Sequence, residues 1–256
     1  MLVDEVLRRS HAEANGPPTL RLYQWSQPTL SLGAGQPMPA SLTPELLASL
    51  NLAVVRRPTG GRAVLHCGDL TYCFVAGVRD GFPPSITATY QRLNRALQRG
   101  LANFGLATSG GRPAPSDRPG FSCFARLARG DLAWGNRKLV GSAQSWQGES
   151  FLQHGTILLT PQQDSWWQIL GHLGEKMILP IVTLAEILGG LPPVAELKQA
   201  LRRGFAEELG VPLQEGDFTP WEREMLDSAS GQCGRGEAAR DLPGSARYYD
   251  NTPSHP

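Results

Sequence analysis

Between residues 52 and 76 the chain carries three short apolar runs in close succession, LAVVRR (52–57), RAVLH (62–66) and LTYCFVA (70–76), punctuated by Pro58, Gly60, Gly61 and Gly68. Runs this short, rich in β-branched and aromatic residues and bounded by turn formers, read as strands. Two more, TLRLYQW (19–25) and TLSLG (29–33), precede them. The first half of the chain is therefore committed to sheet.

A sheet must be covered. Residues 2–14 set Leu2, Val3, Val6 and Leu7 on one helical face before Gly16-Pro17-Pro18 ends the pattern. Residues 87–105 carry Tyr90, Leu93, Leu97, Leu101 and Phe104 at helical spacing, with Thr87 as the expected cap and Gly105 at the end. A loop rich in Gly, Pro and Ser (108–122) follows. Strand patterning then returns in DLAWG, RKLVGSAQSW and SFLQHGTILL, and from residue 164 the pattern turns helical. Thr183 with Glu186 and Thr219 with Glu222 have capping-box spacing, and Leu197, Leu201, Phe205 and Leu209 share a helix face. Residues 229–256 contain few core formers, and that tail is expected to be disordered.

Composition excludes several classes. At 256 residues and 41% hydrophobic content, with no apolar run near the ~18 residues of a membrane span, the chain reads as a soluble globular domain. Asp4 and Glu5 fall where a signal peptide would need its apolar core, so a cytoplasmic location is expected. Cys67, Cys73, Cys123 and Cys233 form no CxxC pair, which argues against a disulfide framework or a structural zinc site. A net charge of +1 gives no drive toward nucleic acid. Residues 111–140 nevertheless hold six basic residues, Arg112, Arg118, Arg126, Arg129, Arg137 and Lys138, against Asp117 and Asp131. That local excess of +4 is either a docking surface for an acidic partner or a solvated loop.

Three segments could carry chemistry. RRPTGGRAVLH (56–66) places a glycine pair ahead of a strand; it is either a tight hairpin turn or a loop whose main chain a ligand can approach. GNRKLVGSAQ (135–144) sets Lys138 beside small residues, as a surface lysine or a functional cation. FLQHGTILL (151–159) plants His154-Gly155 in an apolar run, where a polar side chain needs a partner or a job.

Taken in this order, with a cysteine in FSCFAR between them, these segments resemble the biotin/lipoate protein ligase catalytic family, and more closely its cysteine-dependent octanoyltransferases. The resemblance spans about residues 1–225 and includes the DEVL helix start and the YQWSQPTLSLG strand pair. It implies an α+β catalytic domain over residues 1–228: a mixed β-sheet flanked by helices, with a narrow acyl tunnel between the RRPTGG loop and the strands bearing Lys138 and His154. Family members usually place a strand before the first helix, whereas this sequence opens on MLVDEVL, so an edge strand is expected to be missing.

Carried over by position, the resemblance implies Cys123 as the nucleophile that becomes an octanoyl thioester, and Lys138 as the cation that favours its thiolate and protonates the departing thiol. It implies that Arg57, Thr59, Gly60, Gly61, Arg62 and His66 shape the binding loop. Gly141, Ser142, Ala143 and Gln144 with His154 and Gly155 complete the walls, and backbone amides near Gly141–Ala143 or His154 are candidate oxyanion donors. Cys67 stands where the family commonly has aspartate and is a competing thiol; Cys73 reads as a buried strand residue. The implied donor is an octanoyl acyl carrier protein. The implied acceptor is a lysine of a lipoyl domain, in a glycine cleavage H protein or a 2-oxoacid dehydrogenase E2, with neither metal nor cofactor. Alternatives are an ATP- and Mg²⁺-dependent lipoate ligase, an octanoyl amidotransferase between lipoyl domains, and a non-catalytic binding protein.

Overall fold

The computed structural model of the chain describes residues 1–111, 121–161, 169, 180–230 and 246–250. The strand-like runs of the N-terminal half divide between two sheets. β1 (Thr19–Tyr23) and β5 (Asp69–Gly77) join the main sheet, whereas β2 (Thr29–Leu32), β3 (Ala53–Arg56) and β4 (Val64–His66) form a three-stranded sheet in the order β3-β2-β4. Because β2 pairs parallel with β3 and antiparallel with β4, the RRPTGG segment crosses the end of β2 from one neighbour to the other. It is not a hairpin turn. α2 (Pro44–Ser49) covers this sheet, packing Leu46 and Leu47 against the cluster around Leu30, Leu32 and Leu65.

Among the described residues the main sheet has eight strands, in the order β10-β11-β1-β5-β9-β8-β7-β6. Its later members are β6 (Ser109–Gly110), β7 (Leu132–Trp134), β8 (Arg137–Gln147), β9 (Ser150–Leu158), β10 (Leu213–Glu215) and β11 (Ala246–Asp250). Every residue of β5 and β9 is buried, which is why these strands read as continuous apolar runs with isolated polar insertions. Side chains alternate between the two faces of a strand. Leu70, Tyr72, Phe74 and Ala76 of β5 therefore enter the core beneath α3 (Ile86–Ala102) and, later in the chain, a long helix over Val194–Leu209. Cys73 and Val75 point to the other face and meet Leu7 of α1 (Leu2–Glu13).

The remaining helices are α4 (Leu184–Leu188), α5 (Val194–Leu209) and α6 (Pro220–Ser230). The capping boxes form as their spacing predicts: Thr183 and Glu186 exchange hydrogen bonds of 3.3 and 2.9 Å, and Thr219 and Glu222 of 3.2 and 2.7 Å. The cap of α3 is Ser85, whose hydroxyl accepts from Ala88 N at 3.3 Å, rather than Thr87, which lies inside the first turn. Leu197, Leu201 and Phe205 are buried under the sheet and Leu209 packs at its margin.

Two expectations are corrected. Ser109–Gly110, assigned to the loop, pair with Ala133 and Leu132 as an edge strand; residues 112–120 of that loop lie outside the described residues. Within the tail, Ala246–Asp250 insert as β11, parallel to both β1 and β10, and bury Tyr248 in the core. That short aromatic run buries enough apolar area and pairs enough main chain to order, though its flanks are polar. α6 also extends to Ser230, and the other tail residues, Cys233 included, lie outside the described set. No helix among the described residues is long and apolar enough to cross a membrane.

Candidate active site

The crossover at 57–62 is organised by a buried guanidinium. Arg57 Nη1 donates to the Ser31 carbonyl at 2.7 Å and to Ser31 Oγ at 2.8 Å, while Nη2 donates to the carbonyls of Gly60 (3.3 Å) and Arg62 (2.9 Å). One side chain thus ties the loop to β2 and to itself. Gly61 has φ +91°, which glycine adopts without strain, and its carbonyl oxygen would lie 2.0 Å from a Cβ at Gly33. Both glycines are therefore required for the loop to sit on the strand. Thr59 Oγ1 hydrogen-bonds His154 Nε2 at 2.7 Å and joins the loop to β9.

Against this loop rests a short helical turn, Cys123–Ala125. The Ser122 hydroxyl caps it by accepting from Phe124 N at 3.1 Å, and the Cys123 N–H donates to the Ala63 carbonyl at 2.8 Å, so the cysteine is pinned to the start of β4. Lys138 of β8 comes up beneath it. Its Nζ lies 3.6 Å from Cys123 Sγ, donates to the Cys123 carbonyl at 3.1 Å, and stands 4.7 Å from the centre of the Phe124 ring. Lys138 is only 1% exposed, which excludes the surface-lysine reading. The ammonium also meets Asp131, 2.9 Å from Nζ, whose same carboxylate oxygen accepts from Ala128 N at 2.6 Å. Burial pushes the Asp131 carboxyl up from its ordinary range, against the opposing pull of Lys138 and of the Ala128 N–H.

Loop, turn and strands line a narrow, partly open cavity. Cys123, Gly61 and Arg57 line one side; Gly141, Ser142, Ala143, His154 and Gly155 line the other. The wall is close-set because β8 and β9 pair antiparallel there, with Ser142 opposite Gly155 and Ala143 opposite His154. A Cβ at Gly155 would meet Gly141 O at 2.5 Å and Ser142 Oγ at 2.7 Å. His66 also lines the cavity, bridging Ser31 Oγ (2.8 Å) and Asp69 Oδ2 (2.9 Å) beneath the stacked Trp25 ring. His66 therefore gains an acidic partner from Asp69, although Cys67 follows it in sequence.

The other expected residues fall outside the wall. Thr59 acts through His154, Gly60 is exposed, and Arg62 contributes its carbonyl to Arg57. Gln144 turns away from the cavity: its amide donates to Gln153 and accepts from Trp146, in a network that continues through Gln153 to Tyr72. Burial pushes the Tyr72 hydroxyl up to about 12, so it enters this network as a neutral group, 2.7 Å from Ser142 Oγ. Cys67 packs against the cluster of Leu30 and Leu65 and Cys73 lies in the core beside Leu7; neither lines the cavity. Lys138 and Asp131 are buried together as a pair, so neither reaches the surface and the net excess of the segment is unchanged by their burial. Arg126, Arg129 and Arg137 are exposed, while Arg112, Arg118 and Asp117 lie outside the described residues.

Besides Asp69, two further acidic groups escaped the reading of the sequence. Asp131 entered it only as a charge. Asp4 entered it as an obstacle to export, yet it is fully buried, accepting from Arg21 Nη1 at 2.6 Å and Tyr23 Oη at 2.8 Å, with His154 Nδ1 at 3.7 Å. Its place between Val3 and Val6-Leu7, on the apolar face of α1, was the available signal. Among the described residues no group of His, Cys, Asp and Glu side chains is arranged to hold a metal ion.

Residues 1–206 match the lipoyl protein ligase A/B catalytic domain. The chain belongs to that family. Within the lipoyl protein ligase A/B group it is 35% identical over 242 residues to an octanoyltransferase LipM of Kyrpidia tusciae, covering 89% of this chain and 88% of the relative. It is 36% identical over 243 residues to an octanoyltransferase LipM of Symbiobacterium thermophilum, covering 89% and 87%. The same fold occurs in a lipoate-protein ligase A solved with ATP, at TM-score 0.72 and 22% identity over 90% of this chain and 88% of that one. It occurs again in a bipartite lipoate protein ligase from Thermoplasma acidophilum, at TM-score 0.65 and 22% identity over 90% and 86%.

Proposed function

We propose that this lipoyl ligase-type domain transfers an octanoyl group through a thioester on Cys123, from an octanoyl acyl carrier protein to a lysine of a lipoyl domain. The octanoyltransferase activity follows from the LipM relatives. The cysteine route rests on one observation: Cys123 lines the cavity, and its Sγ lies 3.6 Å from the Lys138 ammonium.

An ammonium at that distance stabilises negative charge on sulfur, and a buried one does so with little screening. The thiolate attacks the carrier thioester carbonyl; a carbon–sulfur bond to Cys123 forms as the bond to the carrier sulfur breaks. Lys138 gives its proton to the leaving thiolate, and the carrier departs as a free thiol. The lysine amine of the acceptor then attacks the Cys123 thioester. A carbon–nitrogen bond forms, Cys123 leaves as thiolate, and the proton lost by the amine returns to Lys138. Both half-reactions pass through an oxyanion. Candidate donors are the main-chain amides of Gly141, Ser142 and Ala143, residues that line the cavity with Cys123.

This route consumes no ATP and needs no metal. The exposed Arg126, Arg129 and Arg137 near the turn suit an acidic carrier or lipoyl domain, which makes encounter rates salt-dependent. The acceptor assigned here is a lipoyl domain of the H-protein or 2-oxoacid dehydrogenase E2 type. Intact mass spectrometry tests the reading: octanoyl carrier protein without ATP should add one octanoyl mass to the protein but not to Cys123→Ala, and an apo lipoyl domain should discharge it. Labelling of Cys123→Ala, or transfer that requires ATP and free lipoate, would overturn it.

A further inference from the structure

Asp131 has no part in the bond-making steps, yet it is the nearest anion to the group that moves the proton. Lys138 carries four flexible methylenes and could point its nitrogen in many directions. Here three acceptors converge on Nζ: Asp131 Oδ2 at 2.9 Å, the Cys123 carbonyl at 3.1 Å and Cys123 Sγ at 3.6 Å. Asp131 is itself fixed, because the oxygen that meets Lys138 also accepts from Ala128 N at 2.6 Å. It is 3% exposed and Lys138 is 1% exposed, so neither charge is stabilised by water.

We infer that Asp131 is a positioning residue, which holds Lys138 in place and keeps its proton available as Cys123 alternates between thiolate and thioester. This rests on the thioester reading above. When Cys123 is acylated its negative charge is gone, and an ammonium buried among Phe124 and main chain would be left without a counter-charge. Asp131 supplies that charge in every state of the cycle. It also gives the neutral amine a fixed acceptor after the proton has gone to the leaving thiol, so Nζ stays where the acceptor amine must return a proton.

The test separates this role from mere packing. Alkylation of Cys123 by iodoacetamide at neutral pH requires no acyl donor and reports on the sulfur directly. Asp131→Asn keeps the shape and an acceptor oxygen but removes the charge; it should slow alkylation about tenfold or more, and octanoyl transfer by about a hundredfold. Asp131→Glu, which restores a carboxylate, should recover part of both. In a Lys138→Met background, Asp131→Asn should change alkylation by less than twofold, since the residue acts through the ammonium. Parental rates in Asp131→Asn would overturn the inference, as would an undiminished effect in the Lys138→Met background or an Asp131→Glu variant no better than Asp131→Asn. Absence of an octanoyl adduct on parental Cys123 would instead sink the thioester reading, and the alkylation cycle would still report whether Asp131 and Lys138 are coupled.

Discussion

Thr59 Oγ1 and His154 Nε2 lie 2.7 Å apart although 95 residues separate them in the chain. That hydrogen bond fastens the crossover loop of the small sheet to the centre of the large one, behind the wall residue His154. Replacing Thr59 with Val keeps the volume and strands a buried imidazole nitrogen. The expected cost is about 1–3 kcal/mol of unfolding free energy by denaturant titration. Thr59→Ser, which keeps the hydroxyl, should lose much less; an equal loss would assign the effect to the methyl group.

Acid should weaken the fold in two stages. Burial holds His154 below the ordinary imidazole range, with Asp4 pulling the other way. The unfolded chain therefore takes up that proton more readily, and the stability from a neutral His154 is complete above about pH 6.5 and lost as pH falls toward the depressed folded value. Asp4 is different: burial disfavours its charge, but Arg21 and the neighbouring positive groups outweigh burial and hold the carboxyl well below the usual range. Its contribution persists down to about pH 4 and disappears below. Melting curves of His154→Gln should lose the first stage and keep the second, and an unchanged slope between about pH 7 and 5 would contradict the assignment.

Gly141 leaves room for the Cys123–Lys138 contact by its lack of a side chain. A Cβ there would lie 2.7 Å from Lys138 Cε and 3.1 Å from Nζ. Gly141→Ala should displace the ammonium from Cys123 and lower octanoyl transfer by roughly tenfold to a hundredfold, the scale of losing positioned proton transfer. A variant with parental transfer rates would show that Nζ can shift without consequence.

The crossing of α3 over α5 depends on a second pair of glycines. A Cβ at Gly204 would approach Gly100 N to 2.3 Å and Ala96 O to 2.5 Å, which neither helix backbone can accommodate in place. Gly204→Ala is expected to cost about 1–3 kcal/mol through overpacking. The alkylation rate of Cys123 should be unchanged below the melting transition, because the crossing lies on the far side of the sheet from the cavity.

Cys67 is the sharpest test of which thiol reacts. It sits in the cluster of the small sheet, and Cys123 in the cavity wall. Cys67→Ser should form the octanoyl adduct at the parental rate; loss of the adduct in that variant would transfer the nucleophile's role away from Cys123.

Much of this architecture was readable from local pattern. The runs at 19–25, 29–33, 52–57, 62–66 and 70–76 are strands because alternation and turn residues act within a few positions of each other, and the capping boxes at Thr183 and Thr219 close over a single turn. The same locality explains the misplacement at α3, where Ser85 and Thr87 are both acceptable caps and the helix starts after the first. It also explains why 246–250 were missed: five residues carry no periodicity of their own and order only by pairing between β1 and β10.

By itself the sequence determined most of the strands and the longer helices, the two capping boxes, the glycines of the loop and the presence of a cysteine and a lysine at positions a family uses, since each is set by neighbours in the chain. Only the tertiary structure decided that β3 and β4 are separated by β2, that Lys138 and Asp4 are buried, and that Asp131 shares an ammonium with Cys123. Those outcomes depend on which distant surfaces exclude water together, and the sign and strength of a charge interaction follow from that exclusion rather than from spacing along the chain.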